Sequence, residues 1–235
     1  MIVSWGNLVV AGVTEREQAK YPPIGLSIGK TGALSAGELV RHRQSFADSI
    51  RMPVSSLKFQ RQVHGSHVAV VDPDTLIVEA DGMITNRRGI VLCALVADCC
   101  GILLYDKENQ SIGAIHSGWR GTHLNIARHA VDAMAAAFGT DPAQLLAFLS
   151  PCASGERYVV RKDVAEYFPT AIRQLDEEFY LFDNRLRIRQ QLLEAGLQDE
   201  NMTVSTECSI DNPAFHSYRR DGDNSGRTAV YIGLK

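Results

Sequence analysis

The sequence has no basic excess. Its 24 lysines and arginines stand against 27 aspartates and glutamates, for a formal net charge of -3. A nucleic-acid-binding domain ordinarily carries a basic excess, so no nucleic acid is expected as a partner. It also has no long hydrophobic run. The longest apolar stretch, Val91 to Tyr105, is broken by Asp98 and Gly101, whereas a membrane span needs roughly 18 uninterrupted apolar residues. No membrane association is expected. Met1-Ile-Val-Ser-Trp5 shows no basic segment followed by an apolar one, so no secretory signal is expected and the chain reads as cytoplasmic. Cysteine is sparse and odd in number: Cys93, Cys99, Cys100, Cys152 and Cys208. Without signs of export, free thiols or metal thiolates are expected rather than a disulfide framework. Repeats, low-complexity tracts and Pro- or Gly-rich linkers are also lacking, so residues 1–235 are expected to form a single domain.

What is present is ordinary globular composition, 45% hydrophobic and 22% charged. A chain of 235 residues buries about 70% of the surface its unfolded form exposes. Ser35-Ala-Gly-Glu38 has capping-box spacing, and the pattern predicts a helix from there to about Arg51, with Pro53 just beyond. Leu124, Ala127, Val131, Met134 and Phe138 fall on one helical face, in a helix starting near Thr122 and capped by Gly139. Further helices are predicted over Arg161–Phe168 and Asn184–Ala195. Strands are predicted at Asn7–Thr14, Gly25–Gly29, Leu57–Val63, Val68–Val71, Met83–Thr85, Ile90–Val96, Ile102–Tyr105, Ser111–His116, Leu145–Leu149 and Thr228–Leu234. There is no regular βαβ alternation, so the pattern is α+β rather than doubly wound.

Reactive groups concentrate in Gln62-Val-His-Gly65, Ala97-Asp-Cys99 and His116-Ser-Gly-Trp-Arg-Gly121. Two imidazoles and a thiolate, from His64, Cys99 and His116, suit zinc or copper and leave a coordination position open. No local ligand spacing such as C-x-x-C supports this. By spacing alone the trio reads first as two satisfied strand-end histidines and a core cysteine. Arg120 lies beside an expected helix start, where an anion is favoured. It is also readable as a surface arginine. Asp98 interrupts an apolar run, so it must be paired, either as a structural cap or as a partner orienting a ligand. Asp81-Gly82 reads as a plain turn. In Ser217-Tyr-Arg-Arg-Asp-Gly222, Tyr218 and the arginines form either a solvated face or a surface for stacking and phosphate pairing.

Taken together, Gln62-Val-His-Gly65, Glu79-Ala-Asp-Gly82, Ala97-Asp-Cys99, His116-Ser-Gly-Trp-Arg-Gly121 and the Ser217–Gly222 segment with Gly226-Arg227 resemble the YfiH family. Its members were first named multicopper polyphenol oxidases or laccases, and many are described as purine nucleoside phosphorylases. The resemblance covers almost the whole chain. It implies a layered α/β/β/α sandwich with mixed sheets and one zinc, or possibly copper, at His64, Cys99 and His116. It further implies phosphorolysis of adenosine, inosine and methylthioadenosine, with adenosine deaminase activity, by a monomer or homodimer. Asp98 would then belong to the catalytic set with the three ligands. Arg120, Arg61, Arg220 and Tyr218 would bind substrate or phosphate.

The chain departs from the family pattern Gly-Pro-x-Ile-Gly-Pro-Cys-Cys-Tyr-Glu-Val. Its matching stretch is Ser150-Pro-Cys-Ala-Ser-Gly-Glu-Arg-Tyr-Val-Val160, which points to an altered substrate preference or a weak activity if the loop lines the pocket. Three other readings compete. One is a laccase-like copper polyphenol oxidase. Another is a Cys–His hydrolase acting on an amide such as a cell-wall precursor. The last is a non-catalytic purine-binding protein.

Overall fold

A computed structural model describes all 235 residues. The first sheet has five strands in the spatial order Ile2–Val3 (β1), Val9–Val13 (β2), Thr228–Leu234 (β14), Val91–Val96 (β6) and Leu57–Phe59 (β3). The second has six, in the order Met202–Val204 (β13), Leu146–Leu149 (β9), Cys100–Asp106 (β7), Ser111–Ser117 (β8), Gly82–Thr85 (β5) and Val68–Val70 (β4). Both sheets mix parallel and antiparallel pairs. A small antiparallel sheet joins Val159–Arg161 (β10), Phe179–Phe182 (β12) and Ile172–Gln174 (β11). The helices are Ala36–Ser49 (α1), Trp119–His123 (α2), Ile126–Phe138 (α3), Lys162–Ala165 (α4), Asn184–Glu194 (α5) and Tyr218–Asp221 (α6).

The layers follow from which face each residue presents. Leu92, Ala94, Val96 and Val230 of the first sheet pack with Leu103, Tyr105, Ile112 and Ala114 of the second, filling the space between sheets. The alternate residues Val91, Cys93 and Tyr231 face the other way, onto Phe46 and Ala47 of α1. On the far side, Ile102, Leu104 and Ile115 pack against Ala127, Val131 and Met134 of α3 and Ile188 and Leu192 of α5. Helix, sheet, sheet and helix therefore stack as the family resemblance implies. A strand covered on both faces needs apolar residues at every position, which is why Val91 to Tyr105 reads as a nearly continuous apolar run. Each fully buried Leu, Ile or Phe in these layers stabilises the fold by roughly 1.5–3 kcal/mol.

The predicted capping box is present. The Ser35 hydroxyl accepts from the Glu38 N–H, and the Glu38 carboxylate accepts from the Ser35 N–H. Other expectations are corrected. Gly25–Gly29 is buried but not a strand, because its N–H groups go elsewhere. Ser27 N–H donates to the His42 ring and Ile28 N–H to the Arg227 carbonyl. The helix expected from Thr122 is split in two by Asn125, at φ 60 and ψ 39, a left-handed conformation that asparagine tolerates. The helix expected over Arg161–Phe168 shrinks to α4, since Pro169 disfavours helical geometry in the residue before it. The short strands β10 to β13 went unread. Their three or four residues hold too little alternation to register.

Candidate active site

The site forms where strand ends from both main sheets meet. Val96 ends β6 and Cys100 begins β7, so Ala97-Asp98-Cys99 carries the chain from one sheet to the other. Asp98 makes this turn at φ 85. His116 is the penultimate residue of β8. His64 lies in the loop between β3 and β4, at φ 60. Positive φ in a non-glycine residue costs of order 1–3 kcal/mol and persists only where surroundings hold it.

What holds His64 is Asp81, so Asp81-Gly82 is more than the plain turn its sequence suggests. Asp81 is fully buried just before β5. Its Oδ1 accepts the His64 N–H at 3.0 Å and the His116 Nδ1–H at 2.8 Å. Its Oδ2 accepts the N–H groups of Val63 at 3.1 Å and Gly65 at 2.8 Å. Burial pushes the Asp81 carboxyl up, but these bonds, His116 foremost, hold it below the usual carboxylate range. With Nδ1–H committed to Asp81, His116 keeps Nε2 free to ligate.

His64, Cys99 and His116 each offer one ligand atom, and these atoms lie within 4.8 Å of one another. Burial opposes the Cys99 thiolate. The charge of His116 and hydrogen bonds from His116 and His64 outweigh it and bring the thiol down to about 6. Burial would likewise lower His116, but Cys99 and Asp81 raise it to about 9. A thiolate, two imidazoles and a carboxylate behind one of them make a donor set suited to a soft or borderline divalent metal. The identity of that metal is left open by the donor set, since zinc and copper both accept it.

Gly118 is the close neighbour that makes room. A Cβ there would lie 2.9 Å from Cys99 Sγ and 3.2 Å from His64 Cδ2. The following turn is clamped from behind by buried amides. Asn184 Nδ2–H donates to the Ser117 carbonyl, the Thr122 hydroxyl donates to Asn184 Oδ1, and Gln191 Nε2–H donates to the Thr122 carbonyl.

These three side chains, His64, Cys99 and His116, open onto a cavity of about 460 Å³. Arg120, Arg219 and Arg227 line it, and none of them forms an ion pair. Asp98 is the one carboxylate in the lining. Both its oxygens are occupied, Oδ1 by the Ser209 hydroxyl and Oδ2 by the Arg219 N–H, each at 2.7 Å. Asp98 therefore fastens the arginine segment beside Cys99 and does not touch the histidines. These bonds give Asp98 a structural part, the cap that its place in an apolar run also allows.

The other expectations divide. Tyr218 lines the cavity. Arg120 does too, but as the second residue of α2 rather than ahead of a helix start. Arg61 does not line it, being exposed and paired with Glu79. Arg220 does not line it either. Its guanidinium is spent on the carbonyls of Ser209, Ile210 and Phe215 and on the Asp221 carboxylate. Its neighbour Arg219 faces the cavity instead, and sequence adjacency gave no signal to choose between them. In the departing loop, Glu156 pairs with Arg173 and Arg157 with Asp211, both on the outside. Tyr158 alone of the Ser150–Val160 stretch lines the cavity.

The model of the family described as multi-copper polyphenol oxidoreductase laccase matches residues 15–235. A Bacillus subtilis protein named purine nucleoside phosphorylase YlmD is 28% identical, over all of this chain and 94% of its own length. A Streptomyces coelicolor purine nucleoside phosphorylase is 32% identical, over 89% of this chain and 88% of its own. The crystal structure of YlmD from Geobacillus stearothermophilus superposes with a TM-score of 0.91 at 26% identity, covering 97% of this chain and 92% of that one. A Bacillus licheniformis structure titled hypothetical protein YfiH gives the same TM-score at 27% identity, covering 97% of this chain and 93% of that one.

Proposed function

The chain belongs to the multi-copper polyphenol oxidoreductase laccase family, and on that premise we infer that it is a metal-dependent purine nucleoside phosphorylase. The observation that carries this reading is the cavity. Three guanidinium groups without carboxylate partners surround the same space that His64, Cys99 and His116 open onto. An enzyme that uses phosphate as a nucleophile needs such charge-assisted donors.

In this reading Arg120, Arg219 and Arg227 hold phosphate against the nucleoside. A phosphate oxygen bonds to C1′ of the sugar as the bond from C1′ to the purine nitrogen breaks. The purine leaves with that electron pair and takes up the proton that the phosphate gives up, and the sugar 1-phosphate remains, ribose 1-phosphate from adenosine and inosine and its 5-methylthio analogue from S-methyl-5′-thioadenosine. Adenosine, inosine and S-methyl-5′-thioadenosine are the substrates of this reading. Hydrolytic deamination of adenosine is a side activity of the same site. His64, Cys99 and His116 would hold the metal, zinc in this proposal, and when bound it supplies Lewis-acid polarisation of an attacking oxygen. Asp81 keeps the His116 proton on Nδ1. Replacing Cys99 or His116 with alanine is then expected to abolish metal binding, phosphorolysis and deamination together. Base release at the wild-type rate by a metal-free variant sinks the mechanism.

Copper polyphenol oxidation is less well supported. His64, Cys99 and His116 form the chain's one cluster of three or more ligand residues, while four-electron reduction of oxygen ordinarily uses several coppers. The hydrolase reading draws on a specific geometry, the line of Cys99 thiol, His116 imidazole and Asp81 carboxylate, which is also that of a cysteine nucleophile with base and orienting group. Alkylation separates the two. Iodoacetamide labelling of Cys99 that zinc does not slow favours the hydrolase, and protection by zinc favours the metal enzyme.

A further inference from the structure

Tyr158 is more than nine-tenths buried, yet its hydroxyl makes no hydrogen bond within the protein. The four side-chain atoms that are sealed off without a partner belong to Gln60, Asn125 and Gln191. The Tyr158 hydroxyl is not among them, because its residue lines the cavity of the three metal-ligand side chains. Buried phenol groups ordinarily find a partner. This one is left with only the cavity to supply it.

The ring is held in place. It packs against Phe182 at 5.6 Å between centroids, and the Arg219 guanidinium lies 5.1 Å from its centroid. The backbone is fixed as well. Tyr158 N–H donates to the Ser154 carbonyl, and its own carbonyl accepts from Phe182 N–H, both at 2.9 Å. The outward ion pairs of Glu156 and Arg157 anchor the residues just before it. A donor fixed this way loses little conformational freedom when it meets a ligand.

Charge decides what kind of acceptor suits it. In the phosphorylase reading the three arginines that line this cavity serve the anion. A phenol is neutral near pH 7, and burial pushes Tyr158 further up from its ordinary value, so it is a neutral donor. A neutral donor among cations matches an uncharged acceptor, such as a ring nitrogen, carbonyl or hydroxyl oxygen of a nucleoside. We propose that Tyr158 is a nucleoside-contacting residue, donating its hydroxyl hydrogen to the bound nucleoside while the arginines take the phosphate. The proposal rests on the phosphorylase reading and names the residue that recognises its uncharged substrate.

The test is Tyr158→Phe in the full chain, loaded with zinc. The hydroxyl has no internal partner to lose, so the melting temperature is expected to stay within about 2 °C and the zinc content to be unchanged. The kcat/KM for inosine is expected to fall about 10- to 100-fold, with the KM for phosphate unaltered. A merely structural tyrosine would not produce that split. An unchanged kcat/KM for inosine overturns the proposal. Binding of inosine without phosphate, followed by equilibrium dialysis, separates nucleoside contact from phosphorolysis. If the wild type binds inosine but turns over none, the phosphorylase reading fails, and weaker binding by the variant still supports the contact while equal binding overturns it. If the wild type neither binds nor converts inosine or adenosine, both fall.

Discussion

His116 donates its Nδ1 proton to Oδ1 of Asp81 across 2.8 Å, and the same oxygen accepts the backbone N–H of His64 at 3.0 Å. One carboxylate therefore sets the ring of one ligand and the backbone of another. Asp81→Asn turns one of these acceptors into a donor facing donors. It is expected to weaken metal binding about 10- to 100-fold, measured by competition with a chromophoric chelator, with far-UV circular dichroism unchanged. Wild-type affinity in this variant removes Asp81 from the role.

Gly118 is required by space and not by its dihedral angles. Its Cβ would press on Cys99 Sγ and His64 Cδ2. Gly118→Ala is expected to lower bound metal well below one per chain while the protein still folds. Gly139→Ala is the control, since nothing lies near its Cβ position. It is expected to cost about 1 kcal/mol of stability through its left-handed backbone and no metal. A fully metallated Gly118→Ala protein contradicts the packing described.

The arginines are expected to separate into two kinds. Arg120→Ala and Arg219→Ala each remove a charge-assisted donor worth roughly 1.5–3 kcal/mol, so the KM for phosphate rises about tenfold or more. Arg61→Ala leaves it unchanged, its partner being Glu79 on the surface. Arg220→Ala strands several carbonyls and leaves the Asp221 carboxylate with Arg16 alone, and is expected to cost roughly 2–4 kcal/mol in a urea titration. Should Arg61→Ala raise the phosphate KM as strongly as Arg219→Ala, the anion site is misplaced.

His216 is buried, with Nε2–H donating to the Leu26 carbonyl and Nδ1 accepting the Gly226 N–H. Burial is the main cause that pulls its imidazole from 6.5 down to about 4. A group depressed in the folded state leaves stability intact above its unfolded value and erodes it as pH falls toward the folded one. The expected loss between pH 6.5 and 4 is about 3 kcal/mol from this residue. His216→Gln is expected to be less stable at pH 7.5 but to show a shallower decline over that window. Parallel stability-versus-pH curves for the two proteins exclude His216 as the cause.

Much of the fold was legible because local rules and tertiary demands agree. The capping box at Ser35 and Glu38 marks a real helix start, and the apolar face from Leu124 to Phe138 marks a helix packed on a sheet. The metal trio was legible as residue types, but its convergence rested on the family likeness, since His64, Cys99 and His116 come from three separate segments. The part Asp81 plays is not legible in the sequence, because its four partners, from Val63 to His116, lie 16 to 35 residues away, and an Asp-Gly pair has an ordinary reading as a turn. Arg219 and Arg220 are neighbours on the one-turn helix α6. Only the surrounding carbonyls show which of them is spent on structure.

The central claim is that this cavity performs phosphorolysis with a metal held by His64, Cys99 and His116. The direct measurement is chromatography of hypoxanthine and adenine released from inosine and adenosine, with and without phosphate, on protein of measured zinc content. Base release that requires phosphate and rises in proportion to zinc is the predicted result. No release from fully zinc-loaded protein, or release that ignores phosphate, contradicts it.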